Sequence, residues 1–261
     1  MRVIVTRPIA QARPWVQALQ ALGLDAVALP LIAIEPVERG PIAAAWSQLD
    51  GAALAMFVSP NAVQHFFDAR PPDQAWPAAT LAGSTGPGTS AALRAAGIAD
   101  AQLVEPPAAG PFDTETLWQQ RLQQRPWQGR RVLIVRGDGG RDWLAQTLRA
   151  AGAQVDFVTA YRRRAPVLDR ALVDAALQAP GAHCWHFSSS EAIAHLLAAV
   201  PGADWRRSRA EATHPRIAER ARRAGFGRVG LVGVGAEDLA ARLRAERAES
   251  GKGASIESPP L

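Results

Sequence analysis

Arg2-Val3-Ile4-Val5-Thr6-Arg7 and Arg131-Val132-Leu133-Ile134-Val135-Arg136 are one short pattern met twice, at an offset of 129 residues. The same offset carries Leu19 onto Leu148 and Gly23 onto Gly152. Phe57-Val58-Ser59-Pro60-Asn61-Ala62-Val63 returns 130 residues later as Phe187-Ser188-Ser189-Ser190-Glu191-Ala192-Ile193, with His65 falling on His195. Gly86-Pro87-Gly88 through Gly97-Ile98 returns as His214-Pro215-Arg216 through Gly225-Phe226 at an offset of 128. Three matches in one order at near-constant spacing read as an internal duplication within 261 residues.

Each half alternates strand and helix. The apolar runs Val3 to Val5 and Val132 to Val135 lead into helices that stop at Leu22-Gly23 and Ala151-Gly152, glycine being the usual residue just past a helix end. Further strands are expected at Asp25 to Leu29 and Gln154 to Val158, at Ala53 to Val58 and Cys184 to Phe187, and near Thr80 to Ala82 and Glu211 to Thr213. Ser59 and its counterparts at 188–190 directly follow a strand and cap the next helix. Alternation of this kind predicts an α/β fold with parallel sheets covered on both faces. Leu31 to Val37 and Val158 to Arg163 are extended, occupy equivalent places in the repeat, and would bridge two domains if they paired.

Composition excludes several chemistries. Of 29 Lys+Arg, only Lys252 is lysine, so residues 1–251 hold no Walker A lysine and no Schiff-base lysine. Cys184 is the only cysteine, which removes thiolate zinc clusters, CxxC redox chemistry and an intrachain disulfide. The histidines His65, His183, His186, His195 and His214 form no HExxH, so no metal site is expected. No apolar run approaches the roughly 18 residues of a membrane span, and the N-terminus reads as a strand rather than a leader; a cytoplasmic protein is expected. The net charge of +5 suits a polyanionic ligand, although a solvated arginine face would have the same composition.

In open parallel sheets ligands sit beyond the carboxyl ends of the strands. The candidate loops are therefore Thr6-Arg7-Pro8, Ser59-Pro60-Asn61, Ser84 to Thr89 with Gly86, Arg136-Gly137, Ser188-Ser189-Ser190 and His214-Pro215-Arg216. Hydroxyls, glycines and arginines at helix N-termini offer N–H groups and positive potential to carboxylates or phosphates. One such loop is explained by helix capping alone; six suggest anion-friendly loops in both halves. Gly83, Gly86 and Gly88 give G-x-x-G-x-G rather than the dinucleotide fingerprint, so a nicotinamide cofactor is not expected. Tyr161, the only tyrosine, lies on the second extended segment, where a half-buried strand residue is the plain reading. His65 and His195 read as structural, and the eight tryptophans as packing residues.

Taken together, Val5-Thr6-Arg7-Pro8, Phe57 to Val63, Gly86-Pro87-Gly88-Thr89, Tyr161-Arg162, Phe187 to Ile193 and His214 to Ala218 resemble the uroporphyrinogen-III synthase family, from Arg2 to about Leu243. The resemblance implies a cofactor-free lyase of heme and tetrapyrrole synthesis. Such an enzyme cyclises the linear polycarboxylate hydroxymethylbilane to uroporphyrinogen III, with loss of water and inversion of ring D. It also implies two flavodoxin-like parallel-sheet domains joined by a two-stranded antiparallel ladder, the first strand–helix–strand unit of each half being exchanged. The domains would be about 1–34 with 166–245 and about 38–159, with 34–37 and 160–165 as the ladder and 246–261 as a disordered tail. Tyr161 matches the family's active-site tyrosine, a proton donor to the departing hydroxyl. Thr89 matches a cleft threonine, and Ser59 and Ser188 to Ser190 match loops that hold the substrate's acetate and propionate groups. Thr6, Arg7, Asn61, Gly86, Arg136, Gly137, His214 and Arg216 complete the expected binding set. Where many members carry Gly-x-x-Thr, this chain has His214-Pro215-Arg216-Ile217, so Ile217 brings no hydroxyl and Arg216 is expected to offer a carboxylate fork instead. The expected partner is that small-molecule substrate alone, with no nucleic acid, no membrane and a monomeric chain. Two other readings use the same features: a two-lobed binding protein for a small organic polyanion, and a nucleic-acid binder built on the eight arginines between Arg206 and Arg228.

Overall fold

The computed structural model describes residues 1–253, with side chains described through 246. It divides into two compact units, residues 1–33 with the chain from Arg164 onward, and residues 34–163. The first unit opens with β1 (Arg2–Val5), α1 (Ile9–Ala21) and β2 (Asp25–Ala28). The second unit follows with β3 (Ala33–Pro36), α2 (Arg39–Trp46), β4 (Ala52–Phe57), α3 (Pro60–Asp68), β5 (Leu81–Ser84), α4 (Pro87–Ala95) and β6 (Leu103–Val104). It closes with α5 (Thr114–Leu117), β7 (Arg131–Gly137), α6 (Trp143–Ala150) and β8 (Gln154–Arg164). The chain then completes the first unit with α7 (Arg170–Gln178), β9 (His183–Phe187), α8 (Ser190–Ala199), β10 (Arg209–Ala212), α9 (Pro215–Arg223), β11 (Arg228–Leu231) and α10 (Ala236–Gly253).

The first unit holds a five-stranded sheet ordered β11-β10-β9-β1-β2, and the second a six-stranded sheet ordered β3-β8-β7-β4-β5-β6. The ladders from β11 to β2 and from β8 to β6 are parallel. Both faces of the central strands are buried, which is why Val3-Ile4-Val5 and Leu54 to Phe57 are unbroken apolar runs, each fully buried.

The two sheets repeat one register. Arg2 pairs with Asp25 as Arg131 pairs with Gln154. Val3 pairs with Cys184 as Val132 pairs with Leu54, and Cys184 pairs with Arg209 as Leu54 pairs with Leu81. Helix ends repeat too: Gly23 (φ +78°) and Gly152 (φ +92°) take the left-handed conformation that closes α1 and α6. There Leu24 N–H reaches Leu19 O and Ala153 N–H reaches Leu148 O, each at 3.0 Å.

The structure corrects two expectations. Residues 154–158 and 158–163 form not two segments but one strand, β8, of 11 residues. It continues because β7 also continues, with a register shift between Arg136 and Gly137 that leaves Gly137 opposite Tyr161. The tail expected over 246–261 is helical to Gly253 as part of α10, in keeping with the helix-forming Ala-Glu-Arg-Ala-Glu run at 245–249; 254–261 lie outside the described residues.

Candidate active site

In each sheet the order of connection reverses beside the strand that follows the long crossover, between β7 and β4 in the second unit and between β1 and β9 in the first. The crevice at such a switch point lies at the carboxyl ends of the two strands. In the second unit those ends are Arg136-Gly137 and Val58-Ser59. Here Tyr161 Oη lies 2.9 Å from Ser59 Oγ. Ser59 is the N-cap of α3, and its Oγ also accepts the Ala62 N–H at 3.2 Å. The serine thus links the phenol to the positive end of a helix. The Tyr161 ring is 3% exposed, stacks on His65 with centroids 5.9 Å apart, and lies against Gly137.

The remaining expected residues of this unit take varied roles. Thr89 is buried in the first turn of α4, where Ser84 and Ser90 hydroxyls meet at 2.6 Å. Gly86 is the N-cap of α4; a Cβ there would stand 3.2 Å from Phe112 Cβ, so the glycine admits that ring over the helix start. Asn61 is 8% exposed in the first turn of α3. Arg136 donates from Nη1 to Asp142 at 2.5 Å and places its guanidinium 3.8 Å from the centre of the Phe157 ring.

In the first unit the matching crevice is bordered by Thr6-Arg7 and Ser188-Ser189. The Thr6 hydroxyl donates to His186 O at 2.7 Å, so this buried side chain ties β1 to β9. The Arg7 guanidinium lies 4.2 Å from the Trp15 ring centre, and Trp15 stacks on His186 at 4.5 Å and 22°. Burial lowers Arg7 to about 10, which leaves it charged at neutral pH, and its Nε is buried without a hydrogen-bond partner. His186 is fully buried with neither ring nitrogen hydrogen-bonded; burial, then the charge of Arg7, push it down to about 3. An imidazole held neutral in this way can underlie a stacked cation without repelling it.

Ser189 is the N-cap of α8 and accepts the Glu191 N–H at 3.1 Å; Ser190 is the first residue of that helix, and Ser188 precedes the cap. His214 is the N-cap of α9, its Nδ1 accepting the Arg216 N–H at 3.1 Å. Ile217, at the repeat position of Thr89, is 8% exposed and offers no polar atom. Among the described residues no group of three or more His, Cys, Asp or Glu could hold a metal ion, and no helix is long and apolar enough to cross a membrane.

His65, Trp15 and His186 stand against expected site residues, the first beside Tyr161 and the other two beneath Arg7. The repeat match of His65 with His195 was a signal, but it pointed to structure. His195 answers to that, with Nδ1 2.6 Å from Leu31 O, whereas His65 backs Tyr161. Nothing in the sequence marks Trp15 among eight tryptophans.

A family model described as uroporphyrinogen-III synthase HemD matches residues 13–231. The uroporphyrinogen-III synthase of Escherichia coli strain K12 is 30% identical over 203 residues, 77% of this chain and 80% of that one. That of Salmonella typhimurium is 32% identical over 177 residues, 66% and 68% of the two chains. Among solved structures, a mutant uroporphyrinogen III synthase from Thermus thermophilus superposes with a TM-score of 0.63 at 18% identity, covering 97% of this chain and 99% of that one. The uroporphyrinogen-III synthetase of Helicobacter pylori gives a TM-score of 0.53 at 14% identity, over 95% and 100%. At such identities the structures speak for the α/β fold alone.

Proposed function

The chain belongs to the uroporphyrinogen-III synthase family, and from that premise we propose that it is a carbon–oxygen lyase that cyclises hydroxymethylbilane to uroporphyrinogen III. The residue-level reading is carried by one observation, the 2.9 Å hydrogen bond between Tyr161 Oη and Ser59 Oγ at the β7/β4 switch point. Tyr161 gives its phenolic proton to the departing hydroxyl, which leaves as water. Ser59 holds the phenol in place through the N-terminus of α3 and stabilises the oxygen that is left. Ring D attacks the resulting azafulvene to form the spiro intermediate, which fragments and recloses with ring D inverted, and the proton shed from the pyrrole carbon at closure returns to the Tyr161 phenolate. The substrate also closes unaided to the uninverted isomer, so the chain's main task is to hold the reacting ends in one geometry.

Backbone N–H groups at the starts of α3, α4, α8 and α9, with Arg7, Arg136 and Arg216, are assigned to the substrate's carboxylates. Thr6, at the end of β1, and Asn61 and Thr89, in the first turns of α3 and α4, enter through their backbone, since their side chains are buried. The reading includes the flavodoxin-like duplication with an antiparallel ladder at 34–37 and 160–165, and domains of 1–34 with 166–245 and 38–159. In its support, the two sheets share one register and the compact units divide after Ala33 and after Arg163. A cytoplasmic, monomeric enzyme acting without cofactor, nucleic acid or membrane belongs to the same proposal. A binding protein without turnover is not favoured by the family. The test supplies hydroxymethylbilane and separates the type I and type III isomers. Type III in excess of the spontaneous product is expected; type I alone at the spontaneous rate overturns the reading.

A further inference from the structure

Helix α9 carries Arg216, Arg220 and Arg223 at positions i, i+4 and i+7, one stripe along its surface. They line an open groove with Ser190, at the start of α8, and with Glu219 and Arg222. Glu219 accepts the Nε–H of Arg223 at 2.9 Å, and Arg222 donates to Val229 O at 3.3 Å. Counting Glu191 in the first turn of α8, four arginines face two acids, an excess of two positive charges at one helix pair.

The duplication supplies an internal control. The repeat positions of Arg216, Arg220 and Arg223 on α4 are Gly88, Ala92 and Ala95, and that of Ser190 is Pro60, which lies 3.7 Å from the Cβ position of Gly88. The single arginine of α4, Arg94, is engaged by Asp100 and Glu105 at 2.7 and 2.8 Å. A general bias toward arginine would act on both helices. Of the two helices only α9 has the stripe, and the stripe begins in the segment His214-Pro215-Arg216-Ile217, where α9 starts.

We propose that Arg220 and Arg223, with Arg216, form an arginine ladder that captures carboxylates of the linear tetrapyrrole and speeds its arrival at the first unit. The inference rests on the polycarboxylate substrate proposed above. Guanidinium groups suit the task because each can take a carboxylate through two parallel N–H bonds. Charges grouped within about one Debye length of each other act together on an approaching polyanion, and salt weakens that action. The ladder positions and attracts; bond making and breaking stay with Tyr161.

The test is the ionic-strength dependence of kcat/KM for type III product in R220Q/R223Q, set beside R13Q/R207Q, which removes two arginines elsewhere on the same unit. At low salt R220Q/R223Q is expected to lose about three- to tenfold in kcat/KM, with kcat and isomer ratio held and the gap closing at high salt. R13Q/R207Q should stay within about twofold of wild type. Equal losses in both double variants would show an effect of net charge and overturn the ladder. An unchanged kcat/KM and salt slope, or a fall in kcat alone, would overturn it too. Wild-type protein that yields only the type I isomer would instead sink the functional reading beneath it.

Discussion

The ring of Tyr161 occupies the space into which a side chain at residue 137 would project: a Cβ on Gly137 would stand 2.9 Å from Cε2 and 3.0 Å from Cζ of the tyrosine. The register shift after Arg136 brings the two residues opposite one another, and the phenol then reaches Ser59. The glycine is therefore a requirement of the tyrosine's position rather than of a turn.

Gly137→Ala should displace the ring. A fall in kcat of tenfold or more is expected, with KM little changed and a stability loss of about 1–3 kcal/mol from overpacking. Urea unfolding and the isomer assay on one preparation check both parts, and full activity in the variant would contradict the account.

Tyr161→Phe keeps the ring and removes the proton. Turnover should fall about 100-fold if the phenol is the general acid, while stability changes by about 1 kcal/mol. Ser59→Ala should lower turnover less and cost about 1 kcal/mol through the lost α3 cap. Unchanged turnover in Tyr161→Phe would remove the phenol from its role.

Trp15→Leu takes away the surface on which the Arg7 guanidinium lies. A KM several-fold higher with kcat within about twofold is expected, and Arg7→Lys should move KM the same way because an ammonium neither stacks nor forks. A loss confined to kcat would show that the stack serves something other than binding.

His186 stays neutral in the folded chain down to about pH 3, against an ordinary value of 6.5. As pH falls below 6.5 the unfolded chain takes up this proton first, so stability is lost on acidification, by up to about 1.4 kcal/mol per pH unit. His186→Met, which installs the residue found at the repeat position 56, should flatten that acid limb. Urea midpoints from pH 7 to pH 4.5 measure it; parallel curves for the two proteins would refute the assignment.

Much of the candidate site was legible because capping and strand-end chemistry are local. Ser59, Ser189 and His214 stand at helix N-caps, at the places the strand-to-helix pattern assigns them. Tyr161 was visible as a lone tyrosine on an extended segment, but its burial and its bond to Ser59 join residues 102 apart in sequence. The Arg7–Trp15–His186 stack was illegible for the same reason: helix α1 and strand β9 meet only in the folded unit.

Residue order alone determined the alternation of strand and helix, the glycine-closed helix ends and the loops that end the strands, since each follows from side-chain periodicity and backbone preference over a few residues. The repeated sequence pattern left one matter open. Val3-Ile4-Val5 and Val132-Leu133-Ile134 are near-equivalent apolar runs, so either could fill the central place in either sheet at similar burial. Tertiary structure decided that β1 pairs with β9 and β7 with β4, each strand completing a sheet whose neighbour comes from the other half of the chain. The physical reason is that hydrophobic pattern sets the face and register of a strand, while the choice between two equivalent partners is made by long-range pairing.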